Sequence, residues 1–193
     1  MRTDYLNPAL YNKLYNAMTY DNVLALRVSL ETGLRIDDVL SLKHDQLVGR
    51  TLRGVAEKTG KPYRKVISQE LANRLAKNGD KRGFIFPHRT KRGEHRTRQA
   101  VWQNMKKAAR LYGVELNAAP HSARKTYGVE VFRDNGLEAA SRELQHDRLS
   151  TTMLYAFSDI MTGGSVSRAC ASSAEIDELA ELIAEKVVKK LHQ

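Results

Sequence analysis

One stretch breaks a pattern that is otherwise helical, and it constrains the fold more than any other. In "QLVGRTLRGVAEKTGKPYRKVIS", residues 46–68, Thr51, Val55, Tyr63, Val66 and Ile67 bring β-branched and aromatic side chains to both sides of a Lys-Thr-Gly-Lys turn. That pattern predicts two strands joined by a hairpin. The short apolar "GFIFP", closed by Pro87, predicts a third strand. Elsewhere the chain reads as helices punctuated by Gly and Pro. The expected fold is therefore mainly α with a small three-stranded antiparallel β-sheet, an α+β class.

The helices follow from their signals. Asn7 with Pro8 predicts a capped helix running to about Met18. Asp21 is expected to cap "NVLALRVSLET", whose apolar residues are too dense for a surface helix, and Gly33 to stop it. "RIDDVLSL" reads as a short helix and "SQELANRLAKNG" as a longer one. "TRQAVWQNMKKAARLYG" is amphipathic, with Val101, Met105, Ala108 and Leu111 expected inside. "SARKTYGVEVFRDNG" and "LEAASRELQ" read as two helices separated at Gly136. Beyond residue 160 the pattern changes. Residues 161–173 belong to a Ser- and Gly-rich stretch that reads as a linker. Residues 174–193 carry Ile176, Leu179, Ile183, Val187 and Leu191 on one helical stripe.

Charge narrows the partner. The chain has 32 Lys and Arg against 22 Asp and Glu, a net +10. Residues 174–193 hold five acids and three bases, so the preceding 173 residues carry +12. A compact body with that charge has a polyanion as its expected partner. No apolar run approaches the roughly 18 residues of a membrane span, so no membrane partner is expected. Cys170 is the only cysteine, which excludes an internal disulfide and a cysteine-based zinc site. No secretory signal opens the sequence, and a cytoplasmic, nucleoid-associated setting is expected.

Four short stretches carry chemistry. In "TGLRIDDVLSL", Arg35 opens a short helix with Asp38 three residues on, which places both on one face. A cation at a helix start opposes the dipole, so a bound anion or a plain Arg–Asp pair would account for it. "EKTGK" puts Lys58 and Lys61 beside a turn, either solvated or reaching into a groove. In "PHSARK", His121 and Arg124 stand one turn apart where a helix begins. Such a pair can direct two donors at one phosphate, or serve as a cap beside an exposed arginine. "LQHDRLSTTMLYAFSD" separates His146 from Tyr155 by nine residues. The apolar neighbours of Tyr155 also suit a core tyrosine.

In this order, Arg35, Lys58, His121-x-x-Arg124, His146 and Tyr155 resemble the tyrosine recombinases, the phage-integrase family. Its motifs run TGLR-x-x-(E/D), KT-x-K, H-x-L-R-(H/K) and LGH-x-x-x-x-TT-x-x-Y. The resemblance covers about residues 10–160, and the HxxR pair with the His-to-Tyr spacing is its most specific part. "LQH" stands in place of LGH, and Ala123 in place of a larger apolar residue. Both departures bear on subfamily rather than on reacting groups.

The resemblance implies the family's catalytic-domain fold over residues 1–160. It also implies a site-specific recombinase that cuts and rejoins DNA through a 3′-phosphotyrosyl bond, with no metal, cofactor or ATP. Tyr155 would be the nucleophile, and Arg35, Arg124 and His146 would bind the phosphate. His121 or the cationic pocket itself would help the phenol lose its proton, and Lys58 would protonate the leaving oxygen, with Lys61 in reserve. Asp38 would steady Arg35 and the His121 side. Lys61, Arg89, Lys91, Arg92, Arg96, Arg98 and Lys125 would contact the duplex. The expected partner is double-stranded DNA, with a monomer away from it and a tetrameric synapse on it. The apolar stripe of the helix at 174–193 would either fold back on its own domain or, as the resemblance implies, dock in trans. Relatives usually carry a separate N-terminal DNA-clamping domain, so this chain reads as either truncated or naturally short. Two other functions fit the same residues: a non-catalytic DNA-binding regulator and a type IB topoisomerase.

Overall fold

The computed structural model describes residues 4–145. His146, Tyr155, the expected linker at 161–173 and the expected helix at 174–193 lie outside the described residues. The chain divides into two compact units, residues 1–127 and 128–193.

The first unit opens with α1 (Pro8–Tyr15), where Asn7 Oδ1 accepts the Leu10 amide at 2.9 Å and Pro8 takes the first turn. The helix stops at Tyr15, short of the expected Met18. The next helix, α2 (Tyr20–Thr32), is fully buried at Leu24, Leu26 and Val28. Gly33 closes it with φ 69, the left-handed conformation that a glycine adopts without strain. The cap at its start differs from the expectation. Thr19, not Asp21, is the N-cap, and Asp21 sits in the first turn. Asp21 is engaged instead in an ion pair with Arg96.

The short α3 (Ile36–Leu40) follows, and then a single 3-10 turn leads into the sheet. Strands β1 (Leu47–Val48), β2 (Thr51–Val55) and β3 (Pro62–Val66) form an antiparallel sheet in that order. The strand count matches the expectation, but the third strand is a different one. Residues 83–87 divide their pairing between two partners. Ile85 donates to the Leu42 carbonyl at 2.8 Å, while the Phe86 carbonyl accepts from Arg96 at 2.8 Å. With no run of consecutive pairs on either side, only isolated bridges form. The third strand is Leu47–Val48, paired with β2 across Gly49 and Arg50. Within the sheet, Gly54 faces Tyr63, and a Cβ at Gly54 would stand 2.5 Å from the Tyr63 hydroxyl oxygen.

Ser68 caps α4 (Gln69–Lys77) through the Leu71 amide. Thr97 caps α5 (Arg98–Leu111), which buries Val101, Met105, Ala108 and Ala109. Leu111, expected inside, is 71% exposed, and Ala109 takes the fourth buried place. The helices α1 to α5 and the sheet close one core that contains Tyr11, Leu14, Leu24, Leu40, Leu52, Phe86 and Met105.

The last helix, α6 (Pro120–Glu143), begins in the first unit and continues into the second. Thr126 anchors its start by donating to the Leu6 carbonyl at 2.8 Å. In the second unit the helix breaks at Gly136, with φ 81 and ψ 179, at the expected boundary between two helices.

Candidate active site

Three separate pieces of the first unit build one cleft of about 840 Å³. The turn after α2 supplies Arg35, the β2–β3 hairpin supplies Lys58, and the start of α6 supplies His121 and Arg124. The first part of α5 forms another wall.

The turn after α2 is rigid for reasons visible in its residues. Buried Ser29 donates to the Leu34 carbonyl at 2.7 Å, and buried Thr32 donates to the Val28 carbonyl at 2.6 Å. Both bonds hold the chain where Gly33 reverses it. Arg35 is then the N-cap residue of α3, half-buried and with extended backbone. Its side chain therefore leaves just outside the helix rather than from its first turn.

Arg124 is only 4% exposed, and its Nη1 donates to the Gly33 carbonyl at 2.5 Å. This bond brings a residue 91 positions distant to the turn that presents Arg35. Leaving a buried guanidinium unpaired is strongly unfavourable, so the contact fixes the cleft geometry. Behind it, Ser122 and Ala123 are fully buried, which seats the first turn of α6. The small Ala123 thus fills a packed position.

Lys58 stands exposed on the loop between β2 and β3. That loop is closed by the Ala56 amide on the Lys61 carbonyl at 2.9 Å and by the Gly60 amide on the Ala56 carbonyl at 2.8 Å. Asp38 holds it in place. The carboxylate is 4% exposed, and its Oδ1 accepts the Glu57 amide at 2.8 Å. Asp38 was expected to steady Arg35 and the His121 side. Its hydrogen bond ties α3 to the residue next to Lys58, and so helps to position the hairpin. The same charge, after burial, pushes the Tyr63 phenol up to about 12. Tyr63 is thereby a structural tyrosine that keeps its proton.

His121 is exposed at the cleft, yet its pKa is lowered to about 4. Desolvation by the surrounding protein is the largest cause, followed by the charges of Arg124, Lys125, Arg35 and Lys58. The four cations add to the desolvation, and an anion in the cleft would offset them. The imidazole is neutral at pH 7 and can accept a proton. The sign for stability follows. Between pH 6.5 and about 4 the unfolded chain binds this proton and the folded chain does not. The contribution is complete above pH 6.5 and is lost as pH falls through about 4. Urea unfolding across that window should therefore show a steeper loss of stability for the wild type than for His121→Gln. Equal slopes would mean that the ring is ordinarily solvated.

The expected duplex-contacting cations fall into several groups. Arg98 lines the cleft, 68% exposed, with Nη1 3.7 Å from Asp37 Oδ2. Lys61 is exposed on the hairpin loop, and Lys125 follows Arg124 on α6. Arg89, Lys91 and Arg92 line a separate basic hollow of about 490 Å³, where Lys91 lies 3.5 Å from Glu94. Arg96 departs from the expectation. It pairs with Asp21 and donates to Asn22 Oδ1 at 3.2 Å, with its side chain 14% exposed. It acts as an internal strut between the loop before α5 and the start of α2.

The cleft residues that were not expected include Asp37, Glu57, His95 and Trp102. Asp37 and Glu57 adjoin singled-out residues, which was the available signal. Trp102, the only tryptophan, falls four positions after Arg98 on the exposed face of α5. His95 had no signal in the sequence. Among the described residues no cluster of His, Cys, Asp and Glu is arranged to hold a metal, and no helix is long and apolar enough to cross a membrane.

Two arginines, a lysine and a neutral imidazole around one cleft can bind a phosphodiester and move protons at it. Residues 4–160 match the sequence profile of the phage integrase family. The chain belongs to that family. This phage integrase family member is 28% identical to the integrase of Escherichia phage P2 over 155 residues, 80% of this chain and 43% of the relative. It is 30% identical to the tyrosine recombinase XerD of Pseudomonas putida over 144 residues, 67% of this chain and 47% of the relative. The chain thus spans about half the length of the curated relatives it matches. Its fold is similar to that of a lambda integrase dimer bound to a COC′ core site. The TM-score is 0.64 at 17% identity, over 80% of this chain and 48% of that one.

Proposed function

We propose that this chain is the catalytic part of a site-specific DNA recombinase or integrase that works through a 3′-phosphotyrosyl intermediate. The observation that carries the reading is the Arg124–Gly33 bond, which gathers Arg124 and Arg35 into the cleft that Lys58 and His121 also line. The phosphodiester binds with Arg35 and Arg124 on its non-bridging oxygens, and these charge-assisted bonds tighten as charge builds in the pentavalent state. His146 adds a further donor to the same phosphate. The phenolic oxygen of Tyr155 forms the new bond to phosphorus, and the bond from phosphorus to the 5′-oxygen breaks. His121, neutral at pH 7, takes the phenolic proton. Lys58 gives a proton to the departing 5′-oxygen. The reverse attack by a 5′-hydroxyl reseals the strand without ATP, because the covalent bond retains the phosphodiester energy.

The partner is double-stranded DNA, supported by the +12 of the first 173 residues. The chain is a monomer when free and assembles on DNA into a tetrameric synapse, with residues 174–193 docking in trans. Its site of action is the nucleoid, in the cytoplasm. A nicked suicide duplex, which loses its 5′-fragment after cleavage, tests the reading. The expected result is a protein–DNA adduct that survives denaturation and forms at preferred sites. Binding without an adduct would point to a regulator, and relaxation of any supercoiled plasmid would point to a topoisomerase.

A further inference from the structure

A cleft built for a polyanion should not hold carboxylates on its walls, yet three line this one: Asp37, Asp38 and Glu57. Asp38 is explained, since it is buried and holds the hairpin through the Glu57 amide. Asp37 is not. It is half-buried in the first turn of α3, two residues from Arg35, with its Oδ2 3.7 Å from Arg98 Nη1. An acid in a first helical turn is favourable for the helix dipole, but α3 has only five residues and its dipole is small. The ion pair is exposed on both sides, 68% and 48%, so it adds little stability. Neither role accounts for a negative charge facing the cleft.

We propose that Asp37 is a specificity-determining residue, which holds Arg98 so that the arginine serves a base edge well and a phosphate poorly. The physical basis is a difference in charge between the two targets. Arg98 opens α5, and the N-terminal residues of a helix are the ones that reach base edges when a helix meets a groove. A guanidinium has five donors, so Arg98 can keep Asp37 on one side and offer the other to the O6 and N7 acceptors of a guanine. Those acceptors carry no net charge, and Asp37 beside them is tolerated. A phosphate in the same place meets the Asp37 carboxylate and must compete with it for Arg98. Asp37 therefore lowers affinity for duplex at large and leaves the read site almost untouched, which is specificity by a repulsive element.

The inference rests on the DNA reading of the cleft. The test uses the full chain and two duplexes: one selected from a random library by adduct formation, and one of random sequence. Asp37→Asn is expected to tighten random-duplex binding roughly fivefold and to steepen its salt dependence by about one phosphate. Affinity for the selected duplex should change by less than about twofold. In an Arg98→Gln background the effect of Asp37→Asn should largely vanish, because the carboxylate acts through that arginine. An unchanged random-duplex affinity, or equal tightening on both duplexes, would overturn the proposal. A persistent fivefold effect without Arg98 would also overturn it, leaving simple repulsion. A wild-type chain that binds neither duplex would instead sink the DNA reading on which this rests. Thermal unfolding of Asp37→Asn close to wild type keeps a helix effect out of the comparison.

Discussion

Replacing Arg124 with lysine is expected to slow adduct formation by roughly 10²–10³-fold, the cost of losing one preorganised donor at a developing oxyanion. Lysine keeps the charge but brings one nitrogen in place of a planar fork. That nitrogen cannot hold the Gly33 carbonyl as Arg124 Nη1 does and also keep a second donor fixed in the cleft. Duplex affinity, which is spread over many cations, should fall by less than about tenfold. Single-turnover cleavage of the suicide duplex and a parallel binding titration separate the two effects. A rate within about tenfold of wild type would mean that Arg124 is a structural strut and that the reacting phosphate lies elsewhere.

Tyr155→Phe should remove the covalent adduct altogether, a loss of more than about 10⁴-fold, with duplex binding unchanged. Phenylalanine keeps the ring and deletes only the attacking oxygen. The expected gel shows the shifted non-covalent complex before denaturation and free DNA after it. An adduct that persists in Tyr155→Phe would assign the attack to another residue. Tyr63 is a poor substitute, since it is buried and its phenol gives up a proton less readily than an ordinary tyrosine.

Local signals in the sequence were read well where a single residue carries the physics. Asn7 with Pro8, Gly33 and the Thr59–Gly60 turn each have one low-energy use, and the structure uses them so. The readings that failed depend on partners far along the chain. Asp21 has the chemistry of a cap, but Arg96, 75 positions away, takes its carboxylate. The same pair withdraws Arg96 from the basic surface, which no count of charges anticipates. Residues 83–87 have strand composition, but Leu42 and Arg96 claim opposite sides of the segment, and no ladder grows. Arg35, Lys58, His121 and Arg124 were legible as an ordered set of residue types, and the structure places all four on one cleft. The bond from Asp38 to the hairpin was not legible, because its partner is a backbone amide, which any residue but proline would supply at 57.

The bond from Arg124 to Gly33 has a consequence for biosynthesis. A growing polypeptide exposes the basic hairpin and Arg35 long before the segment bearing His121 and Arg124 leaves the ribosome. The cleft is therefore complete only when the late segment closes onto the early turn.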